Sequence, residues 1–204
     1  MVNRQLKVIL TLLFPLTVFI SSCVKDDPVP EINQEVITDL TLRFTALDES
    51  DTPIAGDFFE VKASDEEGIS LGNSPQVGTI SGLEPGRKYH LEVFLYNSIA
   101  DEDVTEEVAE DDEAHQFYFL GTALLGNESF LSYSYGDADQ NGNPLGLLGV
   151  VSVNEAPAVN TGTFRLILRH NLNKDLTGAQ NPNFEDFEQA GGESDLDVTF
   201  QVVL

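Results

Sequence analysis

The residues of this chain that are best able to do chemistry include a run of acids that leads to a histidine. Positions 101–113 hold nine Asp or Glu residues, and His115 follows closely. If the segment is helical, Glu107, Asp111 and His115 lie one turn apart on a single face. Two carboxylates and an imidazole suit a divalent transition metal such as Zn²⁺. The alternative is a solvated acidic connection, which is the usual role of a run of like charges.

A second candidate site lies in the segment 137–143, whose sequence is DADQNGN. Asp137, Asp139 and Asn141 stand at positions 1, 3 and 5 of an EF-hand calcium loop, and a glycine at position 6 permits the sharp turn. Position 12 is Leu148 instead of the bidentate Glu, so a true EF-hand is excluded and a looser Ca²⁺ loop needs an acid from elsewhere. The alternative is a hairpin turn that uses Asp, Asn and Gly for their backbone geometry.

The three histidines are His90, His115 and His170, and no spacing in the sequence links them. His90 falls on the outer face of a predicted strand, whereas His170 ends another strand and could pair with an acid. A site built from several histidines would therefore have to be assembled by the fold.

No enzyme motif is present: the sequence lacks Gly-x-Ser-x-Gly, His-Glu-x-x-His, a P-loop and Gly-x-Gly-x-x-Gly. We therefore predict a non-enzymatic binding module that captures a cation or a small ligand. One alternative is a structural or adhesive surface protein without a small-molecule site, and another is a hydrolase with carboxylates that are distant in sequence. The net charge of −25 excludes nucleic acid as a partner, because phosphate binding needs a basic face.

The elements that must position these residues are mostly β-strands, because apolar and polar residues alternate after residue 35. About nine short strands separated by Gly, Asn, Asp and Pro predict an all-β antiparallel sandwich of the immunoglobulin or fibronectin type. The strands are expected at 40–46, 58–63, 76–83, 89–96, 116–120, 130–135, 147–153, 163–169 and 195–203. Asp103 and Glu106 have the spacing of a capping box, so one short acidic helix is expected between 103 and 114.

Residues 80–93, with the sequence ISGLEPGRKYHLEV, resemble the fibronectin type III pattern Leu-x-Pro-Gly-x-x-Tyr followed by an alternating strand. The resemblance implies that Tyr89 forms a corner, in which its hydroxyl group bonds to the upstream backbone. The alternative is a simple Pro-Gly turn before a strand.

Residues 1–22 have the features of a lipoprotein signal peptide. Arg4 and Lys7 precede an uncharged run that is too short to span a bilayer core of ~30 Å but suits a signal peptide. Small residues then precede Cys23, which resembles the lipobox of bacterial lipoproteins, in which the cysteine is acylated. We predict lipidation of Cys23, a tether over 23–35 and a sandwich domain over 36–204, either single or divided near residue 115. The alternative is an ordinary secretory signal with a chance cysteine.

Several segments together resemble a family of small acidic lipoproteins of Bacteroidota, whose members are often labelled as having a type 1 periplasmic binding fold. The segments are 106–117, 137–146, 168–170 with Lys174, and 190–200. The resemblance implies an outer-membrane lipoprotein, facing the periplasm or the cell surface and working beside an outer-membrane transporter. The labelled fold is a two-lobed α/β design, and this chain lacks its repeated strand–helix alternation, so the sequence predicts a sandwich instead.

Overall fold

The computed structural model describes residues 35–69 and 74–204. The predicted signal peptide, Cys23 and the tether as far as residue 34 lie outside the described residues. Within the described ranges, no helix is long and apolar enough to cross a membrane. In chain order the elements are β1 (Asp39–Leu47), β2 (Pro53–Ser64), β3 (Gln76–Val77), β4 (Thr79–Ile80), β5 (Lys88–Tyr96), α1 (Val104–Glu110), β6 (His115–Leu120), β7 (Leu131–Tyr135), β8 (Leu148–Val153), β9 (Thr161–His170), a 3₁₀ helix (Phe187–Ala190) and β10 (Glu193–Val203).

The strands form two sheets, and the predicted all-β sandwich is confirmed. One sheet has the order β3-β2-β1-β5-β8-β7 and the other has the order β4-β10-β9-β6. All neighbouring strands are antiparallel except β10 and β4, which pair in parallel. The described residues form ten strands instead of about nine, because the segment predicted as one strand at 76–83 divides at Gly78 into β3 and β4, which join different sheets.

The alternation of apolar residues decides which faces of the strands meet in the core. Leu42 and Phe44 are buried on one face of β1, and β5 alternates in the same way from Tyr89 onward. The rings of Phe119 in β6 and Tyr133 in β7 stack with centroids 3.6 Å apart, and this contact joins the two sheets. The hydrophobic effect on these two inner faces therefore holds the sandwich together.

Strand β6 is buried along its whole length. Phe117 and Phe119 pack in the core between the sheets, whereas Tyr118 and Leu120 pack in a second cluster with Phe187. The chain that follows β9 supplies most of this second cluster and covers the outer face of β6. A strand with both faces covered needs apolar residues on both faces, which accounts for the three consecutive aromatic residues at 117–119.

Two local predictions are also confirmed. Helix α1 begins after Asp103, whose side chain accepts a hydrogen bond from the backbone N–H of Thr105, and it ends at Glu110. The Tyr89 hydroxyl accepts a hydrogen bond from the N–H of Glu84 at 2.9 Å and donates one to the carbonyl of Gly82 at 3.4 Å. Tyr89 therefore makes the contact to the upstream backbone that the sequence resemblance implies.

Candidate metal centre

Two histidines that are far apart in the sequence meet because of strand register. His115 is the first residue of β6 and His170 is the last residue of β9, and the antiparallel pairing of these strands places them opposite each other. Their imidazole rings stack with centroids 4.6 Å apart and planes 29° from parallel. Side chains at directly opposite positions of neighbouring strands are the closest cross-strand contacts in a sheet.

Asp195 joins the histidines through an irregularity in β10. The register between β10 and β9 shifts between Ser194 and Leu196, so Asp195 is the extra residue of a β-bulge. Asp195 and Leu196 are both buried, although consecutive residues of a regular strand point to opposite faces. The bulge therefore turns a carboxylate into the end of the core, as bulges often do beside functional sites.

The turn before the bulge is held by Arg169 and depends on a glycine. The Arg169 guanidinium donates hydrogen bonds to the carbonyls of Gly191 and Gly192 and to the Ser194 hydroxyl, at 2.5 to 2.8 Å. Gly192 has a φ of 71°, and a Cβ atom at this position would collide with the carbonyl oxygen of His170. Both features fix the approach of β10 to His170.

The fourth member, Glu35, comes from the segment that leads into β1. Ile37 and Thr38 fix this segment because they are buried, and the N–H of Thr38 donates to the carbonyl of Tyr96. The Glu35 carboxylate reaches across to the Nε2 atom of His115 at 3.1 Å. Glu35 thus approaches from the side of the six-stranded sheet, whereas the other three members lie on the four-stranded sheet.

The four side chains have the donor types and the spacing of a metal site. One ligand atom from each of Glu35, His115, His170 and Asp195 lies within 4.8 Å of the other three. The Oδ2 atom of Asp195 is 4.0 Å from His115 Nε2 and 3.7 Å from His170 Nδ1. Ligands of a tetrahedral zinc ion are about 3.3 Å apart, given bonds of 2.0–2.2 Å. Shifts of an ångström or less would bring the ligand atoms to this spacing.

Hydrogen bonds already select the nitrogen atoms that face the centre of the group. The Nδ1 atom of His115 lies 2.9 Å from the carbonyl oxygen of Asp111 and must donate to it, so the Nε2 atom points into the group. The Nδ1 atom of His170 is buried and has no hydrogen-bond partner among the described residues. A buried nitrogen without a partner is costly, and coordination of a metal ion would satisfy it.

The ionisable side chains of the group shift one another's pKa values. Burial alone would lower the pKa of His115, but its hydrogen bond to the Glu35 carboxylate, the negative charge of Glu35 and the hydrogen bond to the Asp111 carbonyl outweigh burial and raise it. Burial would raise the pKa of Glu35, but the same contact with His115 lowers it. Burial raises the pKa of Asp195 to about 7, and the neighbouring charge of Glu35 contributes to the rise. At neutral pH the Asp195 carboxyl group therefore retains its proton about half of the time.

Of the residues predicted around the acidic run, the structure brings only His115 into the group. Helix α1 ends at Glu110, so Glu107, Asp111 and His115 do not share a helical face. The side chains of Glu107 and Asp111 are exposed, and Asp111 contributes its backbone carbonyl to His115. The pKa of Glu107 is raised by burial first and then by nearby acids that include Glu35, which places its charge close to the group.

The structure places Asp137, Asp139 and Asn141 together in the β7–β8 connection, where donors engage the two aspartates and the Asn141 amide donates to the Glu113 carboxylate. Asp137 accepts hydrogen bonds from the N–H groups of Gly146 and Leu148. One oxygen of Asp139 accepts from two N–H groups of its own turn, and the other lies 3.2 Å from the ammonium of Lys174. A cation at Asp139 would have to displace the Lys174 ammonium.

No motif in the sequence marks Glu35, His170 and Asp195 as ligands. Their shared feature is a position near a strand terminus: Glu35 precedes β1 by four residues, His170 ends β9 and Asp195 is the third residue of β10. His170 was expected to pair with an acid, and Asp195 is the acid that lies beside it. No protein-family model, curated protein or solved structure matches this chain.

Proposed function

We propose that this chain is a lipid-anchored outer-membrane protein that binds a divalent transition-metal ion. Glu35, His115, His170 and Asp195 are the proposed ligands, and Zn²⁺ is the proposed ion. The observation that carries the proposal is the convergence of two imidazoles and two carboxylates from four separate segments. The protein acts as a binding module, and the ion is either carried by it or stabilises its fold.

The donor set favours zinc over the hard cations. Ca²⁺ and Mg²⁺ take oxygen ligands almost exclusively, whereas Zn²⁺ binds imidazole nitrogen and carboxylate oxygen together in tetrahedral sites. Copper(II) prefers planar arrangements, which four ligands from two facing sheets do not provide readily. Four protein ligands fill a tetrahedral zinc ion, so the site is of the closed type that holds an ion and leaves no position for a substrate.

Electrostatics supports binding of a doubly charged ion. Without metal, the raised pKa values of His115 and Asp195 favour protons on both groups, and such protons compensate the buried acids. A divalent ion brings the same two positive charges, so it can replace both protons without leaving uncompensated charge in the core. Isolated buried charge is costly, and this balance makes the exchange of protons for the ion favourable.

The exposed acids near the group have a role that does not require them to be ligands. Glu107 and Asp111 belong to the acidic run, and the whole chain carries a net charge of −25. A concentrated negative field raises the local concentration of cations and accelerates their capture. The acidic run would therefore attract the ion, and the buried group would select it.

The proposed anchor fits this role. Glu35 lies twelve positions after Cys23, and an extended chain of that length reaches about 40 Å at most. Acylation of Cys23 would therefore hold the metal group close to the membrane surface, where an outer-membrane transporter would meet the ion. Acyl chains make a stable anchor because each buried CH₂ contributes about 0.8 kcal/mol.

Metal titration of the full chain, purified in detergent and stripped with a chelator, tests this proposal. Isothermal titration calorimetry should detect one Zn²⁺ per chain, and excess Ca²⁺ should not displace it. His170→Gln should weaken Zn²⁺ binding by at least about tenfold, because it removes one of four ligands. His90→Gln is the matched control, since His90 is a half-buried strand residue outside the group. Absence of Zn²⁺ binding, or equal losses in both variants, would refute the proposal and leave the structural or adhesive alternative.

A further inference from the structure

Lys174 is buried where the acidic run at 101–113 meets the loop at 137–143. Its side chain is 4% exposed, and the Asp139 side chain beside it is 1% exposed. The ammonium donates to the carbonyl of Asp112 at 2.6 Å, the carbonyl of Pro144 at 3.1 Å and the Asp139 carboxylate at 3.2 Å. An ammonium has three N–H donors, so these three acceptors satisfy it completely.

The surroundings of this ammonium are those of a small hard cation. One carboxylate and two backbone carbonyls are the oxygen ligands that Ca²⁺ takes in proteins. The other oxygen of Asp139 is fixed by the N–H groups of Asn141 and Asn143, so the carboxylate is held toward Lys174. The loop at 137–143 therefore has the features of a cation loop whose cation is supplied by the chain itself.

The same ammonium holds the turn that orients His115. Lys174 binds the carbonyl of Asp112, and the preceding carbonyl, that of Asp111, accepts the Nδ1–H of His115. The loop adds further contacts to this turn, because Gln140 and Asn141 both donate to the Glu113 carboxylate. The N–H of Asn171 also donates to the carbonyl of Ala114 at 2.8 Å.

We propose that Lys174 is a positioning residue for the metal group, and that its ammonium takes the place of a bound cation beside the 137–143 loop. Through Asp112 it fixes the Asp111 carbonyl, which sets the tautomer and orientation of His115. The inference rests on the proposed function, since it assigns a support to that same site. Groups that orient a metal-binding histidine commonly change metal affinity by 10–100-fold when they are removed.

Lys174→Met in the full chain tests the inference, because it removes the charge and keeps the length of the side chain. Lys88→Met is the matched control: Lys88 also pairs with an acid, Asp51, but this pair is exposed. We expect Lys174→Met to bind Zn²⁺ at least about tenfold more weakly than the wild type, and Lys88→Met to bind it unchanged. The visible absorption of bound Co²⁺, which reports ligand geometry, should also change only in the Lys174 variant.

Addition of Ca²⁺ separates a cation position from simple packing. If the ammonium stands in for a cation, Ca²⁺ at millimolar concentration should restore Zn²⁺ affinity in Lys174→Met and should have no effect on the wild type. The double variant Lys174→Met/Asp139→Asn should not respond, because it lacks the carboxylate. Unchanged Zn²⁺ affinity in Lys174→Met, or a loss that Ca²⁺ does not restore, would overturn the inference.

A second measurement keeps the inference testable if Lys174→Met does not fold. In the ¹⁵N-labelled wild type, the ammonium resonance of Lys174 should be protected from exchange and should shift when Zn²⁺ binds. His170→Gln should abolish that shift at equal Zn²⁺. An ammonium resonance that Zn²⁺ does not move overturns the inference, whereas a wild type that binds no Zn²⁺ in calorimetry refutes the proposed function itself.

Discussion

Binding of Zn²⁺ should release protons from the four-residue group, and the number released should depend on pH in a way that the structure specifies. Asp195 has a pKa of about 7, and the pKa of His115 is raised above 6.5. Both residues must lose their protons to bind the ion, because a metal ligand is a carboxylate or a neutral imidazole. Protons therefore compete with Zn²⁺, and its apparent affinity should rise with pH.

The magnitude follows from these pKa values. Asp195 holds roughly 0.9 proton at pH 6 and roughly 0.1 proton at pH 8. His115, whose pKa is raised, adds to the protons released at the lower pH. The apparent Kd should therefore fall by roughly fivefold between pH 6 and pH 7 from Asp195 alone, and by more when His115 also releases its proton.

Calorimetric titration in several buffers at each pH measures the number of protons released. The observed enthalpy varies linearly with the ionisation enthalpy of the buffer, and the slope is the proton count. Asp195→Asn keeps an oxygen ligand but cannot hold the proton, so its count should be lower by about 0.9 at pH 6 and by about 0.1 at pH 8. A count below half a proton in the wild type at pH 6, or equal counts in both proteins, would show that the assigned charges are wrong.

Three further predictions concern stability without metal. Asp195→Asn should stabilise the domain by up to about 4 kcal/mol at pH 8 and by little at pH 4, in thermal unfolding with chelator. Asparagine is stabilising because, between pH 3.8 and about pH 7, the folded chain keeps the Asp195 proton and the unfolded chain does not. The stability of the wild type therefore falls as the pH rises through this range. Gly192→Ala should destabilise the domain more than Gly191→Ala in urea unfolding. Both glycines have a positive φ, so alanine costs about 1 kcal/mol at either position, but only alanine at 192 collides with the His170 carbonyl. Equal losses of stability would show that the backbone at His170 moves aside without cost. Tyr89→Phe should cost about 1–2 kcal/mol in the same assay, since the buried hydroxyl bonds both Glu84 and Gly82, and a neutral result would mean that water replaces these bonds.

The strands and the helix were predictable because their signals are local. Burial alternates along β1 and β5 with the period of two that the sequence shows, and the backbone needs no distant information to follow it. The cap at Asp103 and the corner at Tyr89 likewise involve residues within a few positions of each other. The division of 76–83 at Gly78 was not predictable, since it depends on which sheet each half joins.

His115 shows where local reasoning ended. The sequence predicts it as a candidate metal ligand, and the structure places it in the four-residue group, but with neighbours that a helical spacing could not reveal. The residue begins a strand, so its neighbours are set by the register of β6 against β9 and not by a period of 3.6. The assignment of 107, 111 and 115 to one face assumed that α1 continues past Glu110, where it ends.

The fold class, the strand periodicity, the acidic charge and the candidacy of His115 follow from the amino-acid sequence. Which acids and which second histidine lie beside His115 depends on the tertiary structure. Glu35 and His115 are 80 positions apart, and His170 and Asp195 come from later strands. Their convergence depends on the pairing of two strands, on a one-residue bulge in β10 and on the approach of the segment before β1 from the opposite sheet. Such long-range contacts leave no periodic pattern in the sequence, because the residues around each ligand show only the pattern of their own segment.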